Sequence, residues 1–260
     1  KDESIVIPSR HLGLSIDETF CFDTFADRVA EVIDKTVNVD RLLELCTVEF
    51  SGEQTEDVVC FGNRKIAIAR DEAFNFMYRE NVEALKRAGE VVFFSPLRDK
   101  SLPEADMVYF PGGYPELHLA ELAANEGMRQ SVRKYCENGG RVLAECGGMM
   151  YLCDTITDGD GKVYPMAGVL KQGATMEQMK LKLGYREVRV NGQRIRGHEF
   201  HYSRILPTNE KIPVIGTIYN AKDMVVDTPV YTYKNVLASY IHFYWGECGI
   251  DHFLMLMSQK

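Results

Sequence analysis

The sequence predicts an α/β fold around a parallel sheet, and three observations carry that prediction. From Lys65 onward, short apolar runs alternate with segments of helical periodicity. Pro-Gly-Gly and Cys-Gly-Gly breaks close two of the apolar runs, where strand ends meet turns. The 260 residues suffice for one large domain, or for one domain plus an appendage.

In chain order, residues 1–62 read as that appendage and linker. "TFADRVAEVIDKTVNVDRLLELC" places Phe25, Val29, Val32, Ile33, Leu42 and Leu43 at helical spacing. Asp17 or Asp23 is a candidate start for the first helix, and Asp40 a candidate cap for a second. The polar, Gly-containing "EFSGEQTEDVVCFGNR" follows as a linker. Residues 63–260 form the main domain. "KIAIA" (65–69) is a buried strand, and 74–89 reads as a helix ending at Gly89. "EVVFFSP" (90–96) is a strand stopped by proline, and "DMVYFPGGYPE" (106–116) a strand running into a tight turn. Residues 117–140 read as helix with a break near Gly127. "RVLAE" (141–145) is a strand, and a helix begins over 147–156. Strand-helix alternation of this kind implies parallel β-α units, whose functional groups gather in loops at the carboxyl ends of strands. Beyond Pro165 the chain turns strand-rich, through "LGYREVRV", "IRGHEFHYS", "PVIGTIYN" and "NVLASYIHFYW".

Composition excludes several function classes. A net charge of −8 argues against nucleic acid or an anionic membrane as the main partner. No apolar run approaches the roughly 20 residues that span a bilayer. The opening "KDESIVIPSR" is no signal peptide, and a start on Lys1 reads as a cut boundary. Seven cysteines, odd in number and irregularly spaced, point to reduced thiols and a cytoplasmic setting. No C-x-x-C pair exists, and "HEFH" is one residue short of the H-E-x-x-H zinc helix, so no metal site is expected.

"RVLAECGGMMYL" carries the most chemistry. A strand, a sharp turn and a helix would lift Cys146 above the sheet, and the helix N-terminus would favour its thiolate. The N–H of Gly147 is one candidate oxyanion donor, and Gly112 or Gly113 from "FPGGYPE" a second. The competing reading makes Cys146 a small buried core residue ahead of a turn. A thiolate nucleophile needs a base, and His242 in "ASYIHFYW", emerging from a late strand, is the candidate among six histidines. A histidine satisfied within the core is the alternative there. "RDEAFNF" is a candidate cleft wall, with Arg70 and Asp71 as a structural pair, and Glu145 is a brace for the turn.

Several motifs now stand in order: "ARDEAFNFMYRENVEAL", "FSPLRDKSLPEADMVYFPGGYPELHLAELAAN", "ECGGMMYL", "LGYREV" and "RGHEFHYS". Together they resemble the C-terminal glutaminase domain of the cobyrinic acid a,c-diamide synthase family, from about Arg64 onward. "IPSRHLGL" is similar to the close of that family's ATP-dependent synthetase domain. The resemblance implies a flavodoxin-like, parallel-sheet class I glutamine amidotransferase domain behind a short helical remnant of the synthetase. It implies that Cys146 attacks the glutamine amide and that His242 is its base; Gly113 and Gly147 are the oxyanion donors expected beside them. Tyr114, His198, Glu199, His201 and Glu247 become candidate cleft residues. Position 244 is Tyr where many relatives carry a base-orienting Glu, so Glu247 or a Cys-His dyad are both open. The implied partners are glutamine, the synthetase domain and, through it, a corrin substrate. ATP and Mg2+ are expected only in the full-length enzyme, because Gly161-Lys162 is followed by Val163 and lacks the rest of a phosphate loop. Other acceptors (cobyric acid, sirohydrochlorin, a cell-wall precursor) share this glutaminase, and a catalytically silent docking domain is the alternative of a different class.

Overall fold

The computed structural model describes residues 5–7, 9–10, 13–14, 21–49, 64–208 and 211–246. The chain divides into two compact units, Lys1–Asp57 and Val58–Lys260.

The first unit contains a two-strand pair, β1 (Ser9–Arg10) and β2 (Gly13–Leu14), then α1 (Phe22–Thr36) and α2 (Val39–Cys46). The sequence anticipated helices alone; the strand pair is too short to leave a periodic signal. Asn38, not Asp40, caps α2: its side chain accepts from the Arg41 N–H, as an N-cap does. Asp40 sits in the first turn instead. Asp23 lies in the first turn of α1, whose N-cap is Cys21; Asp17 and most of the expected linker lie outside the described residues. No residue of α1 or α2 is buried, and Ile33, Leu42, Leu43 and Leu45 are exposed.

The second unit is built on a six-stranded sheet. Its strands are β3 (Arg64–Ala69), β4 (Gly89–Phe94), β5 (Met107–Phe110), β6 (Arg141–Glu145), β14 (Val230–Tyr233) and β15 (Val236–Ser239). They lie in the order β14-β15-β6-β5-β3-β4, parallel throughout except for the antiparallel edge strand β14. Numbered by chain order, the parallel strands run 2-1-3-4-5, the flavodoxin-like order. Period-2 alternation assigns their side chains to two cores. Ala67, Val108, Phe110, Val142 and Ala144 pack with α4 (Leu119–Ala124), α5 (Glu126–Glu137) and α6 (Gly147–Leu152). Ile66, Ile68, Met107, Tyr109 and Leu143 pack on the other face with Ala84 and Leu85 of α3 (Arg79–Ala88).

Two four-stranded sheets flank this centre. One joins β7 (Cys153–Thr157), β8 (Val163–Pro165), β9 (Leu170–Thr175) and β12 (Arg204–Ile205). The other, wholly antiparallel, joins β10 (Lys182–Val190), β11 (Gln193–His201), β13 (Thr217–Asn220) and β16 (Ile241–Phe243). The chain leaves the central sheet at the end of β15 and enters the antiparallel sheet one residue later, at β16.

Three boundaries differ from the sequence reading. Helix α3 starts at Arg79 rather than at Phe74, because Asp71 Oδ1 accepts from the Ala73 and Phe74 N–H groups and holds a turn there. The helical stretch 117–140 breaks at Asn125, whose side-chain amide donates to the carbonyls of Pro96 and Asp99 at 2.8 Å each. Gly127 lies inside α5, where a Cβ would meet Lys100 O at 2.7 Å, so that glycine permits a close backbone approach. Helix α6 stops at Leu152 because Cys153 already pairs with Leu170 in β7–β9.

Candidate active site

The order 2-1-3-4-5 reverses between β3 and β5, and ligands of open α/β sheets gather at that switch point. Three loops meet there: 70–78 after β3, 111–118 after β5, and the turn at Cys146 after β6. An isolated antiparallel bridge between Phe76 and Gly112 ties the first two together. Asp71 anchors the first loop, accepting from Ser95 Oγ and the Leu97 N–H in addition to its own turn. The expected Arg70–Asp71 pair does not form; Arg70 instead lies over the Phe93 ring, 5.0 Å from its centroid.

Cys146 occupies a nucleophile-elbow conformation. Its φ is +46°, a region that costs a non-glycine residue energy unless its surroundings enforce it. The enforcement is visible: its N–H donates to Ser239 O at 2.7 Å, and its carbonyl accepts from the Met150 N–H. The glycines that follow let the elbow approach the 111–115 turn. A Cβ on Gly148 would lie 2.3 Å from Phe110 O, and one on Gly147 would lie 2.7 Å from Pro115 Cδ and 3.1 Å from Gly113 O.

His242 reaches the same turn from the other side. In β15–β6 pairing Ser239 stands opposite Glu145, so the chain crosses over at Tyr240, level with Cys146. Glu145 fastens the crossing: its carboxyl oxygens accept from the Phe243 N–H at 3.1 Å and from the Tyr109 hydroxyl at 2.8 Å. The His242 ring lies on Gly112, where a Cβ would sit 2.2 Å from Cε1. The Phe76 edge meets it at 4.6 Å between centroids, and His198, its register partner on β11, stacks at 4.8 Å and 16°. His198 Nδ1 shares a 2.6 Å hydrogen bond with the Tyr78 hydroxyl. Nδ1 of His242 is buried with no hydrogen-bond partner among the described residues. Glu247 lies outside the described residues.

The oxyanion candidates separate cleanly. The Gly112 N–H is consumed by Phe76 O at 3.1 Å, whereas the Gly113 N–H makes no hydrogen bond among the described residues. The Gly147 N–H is directed at the Cys146 sulfur, where it opposes the thiol's upward shift. Tyr114, on the same turn, donates its N–H to Ala73 O and has its phenol pushed up by burial and by Glu116.

Electrostatics corrects one expectation. The helix N-terminus was expected to favour the thiolate; instead burial pushes the Cys146 thiol well up, with the Glu116 carboxylate adding to the effect. Helix α6 has only six residues, and desolvation is the largest influence on the thiol. His242 is pushed down to about 3 by burial and by His198 and His201. The resting pair is therefore neutral thiol and neutral imidazole. Glu116, one residue past Pro115, rises to about 7 through desolvation.

"HEFH" lies on strand β11, not on a helix, so His198 and His201 face opposite sides of the sheet. Among the described residues no group of three metal-ligating side chains converges. Glu199 and His201 belong to a buried network. His201 Nδ1 donates to Ser203 O and Nε2 meets Glu199 Oε1 at 2.7 Å, while its ring stacks on Tyr240 at 3.6 Å. Glu199 also accepts from Arg186 and Thr228. Burial works against it, but hydrogen bonds from His201 and Thr228 hold its carboxyl down at about 2. The sequence reading missed Tyr78 and Glu116, the latter by reading "PGGYPE" for its glycines alone. Phe76 lay within the candidate cleft wall "RDEAFNF", but the same residue was also given to a helix starting at Phe74.

Comparison with known proteins bears on the fold and on the family. A solved structure described as a glutamine amidotransferase superposes with a TM-score of 0.50 at 24% identity, covering 75% of this chain and 99% of its own. That likeness concerns the fold. The chain is 34% identical over 259 residues to the cobyrinate a,c-diamide synthase of Salmonella typhimurium, covering 94% of this chain and 56% of the relative. It is 38% identical over 240 residues to the hydrogenobyrinate a,c-diamide synthase of Pseudomonas aeruginosa, covering 92% and 54%. The chain thus spans about half the length of the curated relatives it matches. Residues 65–248 match the CobB/CobQ-like glutamine amidotransferase domain, and the chain belongs to that family.

Proposed function

We propose that this chain hydrolyses glutamine through a thioester on Cys146 and delivers the ammonia to an amidating synthetase. The observation that carries the reading is the Cys146 elbow at φ +46°, set at the sheet's switch point with His242 on the same Gly112–Pro115 turn. The thiol proton passes to the His242 imidazole, and the thiolate attacks the amide carbon of glutamine. The Gly113 and Gly147 N–H groups would receive the oxyanion. Collapse breaks the C–N bond, the imidazolium returns its proton to the departing nitrogen, and ammonia leaves. Water then attacks the thioester, giving up a proton to the imidazole, and glutamate and free thiol are regenerated.

The names of the relatives extend the reading: a cobyrinate-type corrin is the acceptor, amidated at its a and c carboxylates in an ATP-dependent step. That step belongs to the synthetase part of such an enzyme. Gly161-Lys162 lies in the turn before strand β8 with no helix following, so these residues offer no phosphate loop and no step here runs through nucleotide. The 1–62 segment is assigned to the synthetase side and 63–260 to the glutaminase.

The test is labelling with 6-diazo-5-oxo-norleucine, a glutamine-shaped electrophile, followed by peptide mass spectrometry. Label on Cys146, lost in Cys146→Ser and slowed about 100-fold or more in His242→Asn, supports the reading. No label, even with a cobyrinate-type synthetase part added, overturns it in favour of a silent docking domain.

A further inference from the structure

A single residue links the anchor of the elbow to the strand that carries His242. The Cys146 N–H donates to the carbonyl of Ser239, the last residue of β15, at 2.7 Å, and His242 is the second residue of β16. Between those two strands stands Tyr240 alone. Whatever fixes Tyr240 therefore sets the reach from the elbow to the His242 backbone, while Gly112, Phe76 and His198 seat the imidazole itself.

Tyr240 is fixed by a group that the proposed chemistry does not use. Its buried ring lies flat on the His201 ring, with centroids 3.6 Å apart and planes 4° apart, so the two meet face to face rather than at an edge. His201 is held at both ring nitrogens: Nδ1 lies 2.8 Å from Ser203 O, and Nε2 lies 2.7 Å from Glu199 Oε1. Glu199 is pinned in turn by Arg186 at 2.7 Å and Thr228 at 2.9 Å. The ring cannot turn about its own bonds without breaking a buried hydrogen bond, which makes it a rigid plate. Ser203 completes the seat. Its hydroxyl lies 3.0 Å from the Tyr240 hydroxyl and 3.3 Å from Met150 Sδ, and the Met150 N–H donates to Cys146 O at 3.0 Å. One short stretch, 199–203, thus meets the crossover on one side and the elbow helix on the other. Buried ion pairs contribute little net stability against apolar packing, and their better-attested use is to fix register.

We propose that His201 is a positioning residue for the glutaminase reaction: it holds Tyr240 and, through it, the spacing between the Cys146 sulfur and the His242 imidazole. The inference rests on Cys146 and His242 being the catalytic pair. His201 acts through Tyr240 and needs no contact with substrate. A loosened crossover leaves glutamine bound but its attack and proton transfer misaligned, so kcat falls while KM stays.

Labelling with 6-diazo-5-oxo-norleucine, carried to completion, counts competent Cys146 sites, and glutamate release is then expressed per labelled site. Tyr240→Leu removes the ring from the His201 face. It is expected to lower kcat per labelled site by about 10- to 100-fold with KM for glutamine within about threefold of wild type. Tyr240→Phe keeps the stacked ring, and the Ser203 hydroxyl still has Met150 Sδ as an acceptor, so it should recover most of that loss. His201→Gln, which removes the plate, should resemble Tyr240→Leu and is read in its place should that variant not fold. A purely structural role would instead lower the urea midpoint and the number of labelled sites while leaving kcat per site unchanged. That result overturns the assignment, as do a rise in KM at constant kcat, a Tyr240→Phe defect equal to that of Tyr240→Leu, or loss of folding in both Tyr240→Leu and His201→Gln. Failure to label Cys146 in the wild-type protein overturns the nucleophile reading itself, before any variant is compared.

Discussion

Replacing Gly112 by Ala tests whether the seat of His242 matters to the chemistry. The added methyl would stand 2.2 Å from Cε1 and 2.9 Å from Nδ1 of His242. An ordinary carbon–carbon contact needs about 3.5 Å, so the ring must retreat by roughly 1.3 Å. Retreat is obstructed, since the Phe76 edge closes one direction at 4.6 Å and the stacked His198 another at 4.8 Å. Gly197 is also packed against the His242 carbonyl, which a Cβ there would meet at 2.3 Å. Misplacing a catalytic group by about 1 Å costs on the order of 100-fold in rate, or about 2.7 kcal/mol of transition-state stabilisation. The overpacking itself should cost about 1–3 kcal/mol of stability, which leaves a folded protein. The assay is steady-state glutamate release from glutamine, with far-UV circular dichroism and urea midpoints as the check on folding. A Gly112→Ala protein that is folded and retains activity within about threefold of wild type would refute the reasoning.

Two further outcomes follow from buried carboxylates. Glu145 is pushed up to about 8 by burial, with the Tyr109 and Phe243 hydrogen bonds working against the rise. The folded protein therefore holds a proton there that the unfolded chain loses near pH 4.3, so this stabilisation is full below about 4.3 and declines as pH rises through 8. Urea midpoints at pH 5 and pH 8 should differ less in Glu145→Gln than in wild type; an unchanged difference would contradict the assignment. Glu199 faces Arg186, His201 and Thr228 with its side chain fully buried, so Glu199→Ala strands three partners. It should cost about 3–5 kcal/mol in urea unfolding, and a loss under 1 kcal/mol would show that the network is dispensable.

Elements whose apolar period had no competitor were legible in the sequence. "KIAIA", "RVLAE" and "DMVYF" match β3, β6 and β5 within a residue or two, because a buried parallel strand leaves an uninterrupted apolar run. Helix starts were less so. Phe74 and Phe76 fit a helical stripe, yet they are loop residues, held by the Asp71 turn and by the bridge to Gly112. Nothing local in the sequence announces a pairing partner 36 residues away. The turn at Cys146 was legible because two glycines follow an apolar run, but that pattern left a core cysteine open, and only the motifs before and after it pointed to a nucleophile. The electrostatics of the elbow was not, since the thiol's surroundings come from Glu116 and from burial under three loops. The His198–His242 stack depends on the strand register, which pairs positions 44 residues apart.

That the proposed base, His242, has no described carboxylate beside it can be understood from the same packing. A third residue in such a site fixes ring orientation and stabilises the imidazolium once it forms. Orientation here is supplied by contact: Gly112 below the ring, Phe76 at its edge, His198 stacked on its face. Charge stabilisation is not supplied at rest, since burial and two neighbouring histidines hold His242 down to about 3 while Cys146 is held up. Both shifts keep the proton on sulfur. They also share a remedy, because a thiolate beside the imidazolium satisfies each charge with the other, and the pair titrates as a unit. What opposes that ion pair is burial first, with Glu116 adding to it at the thiol. In the proposed reading, then, packing of Gly112, Phe76 and His198 does the positioning that a third side chain would otherwise do.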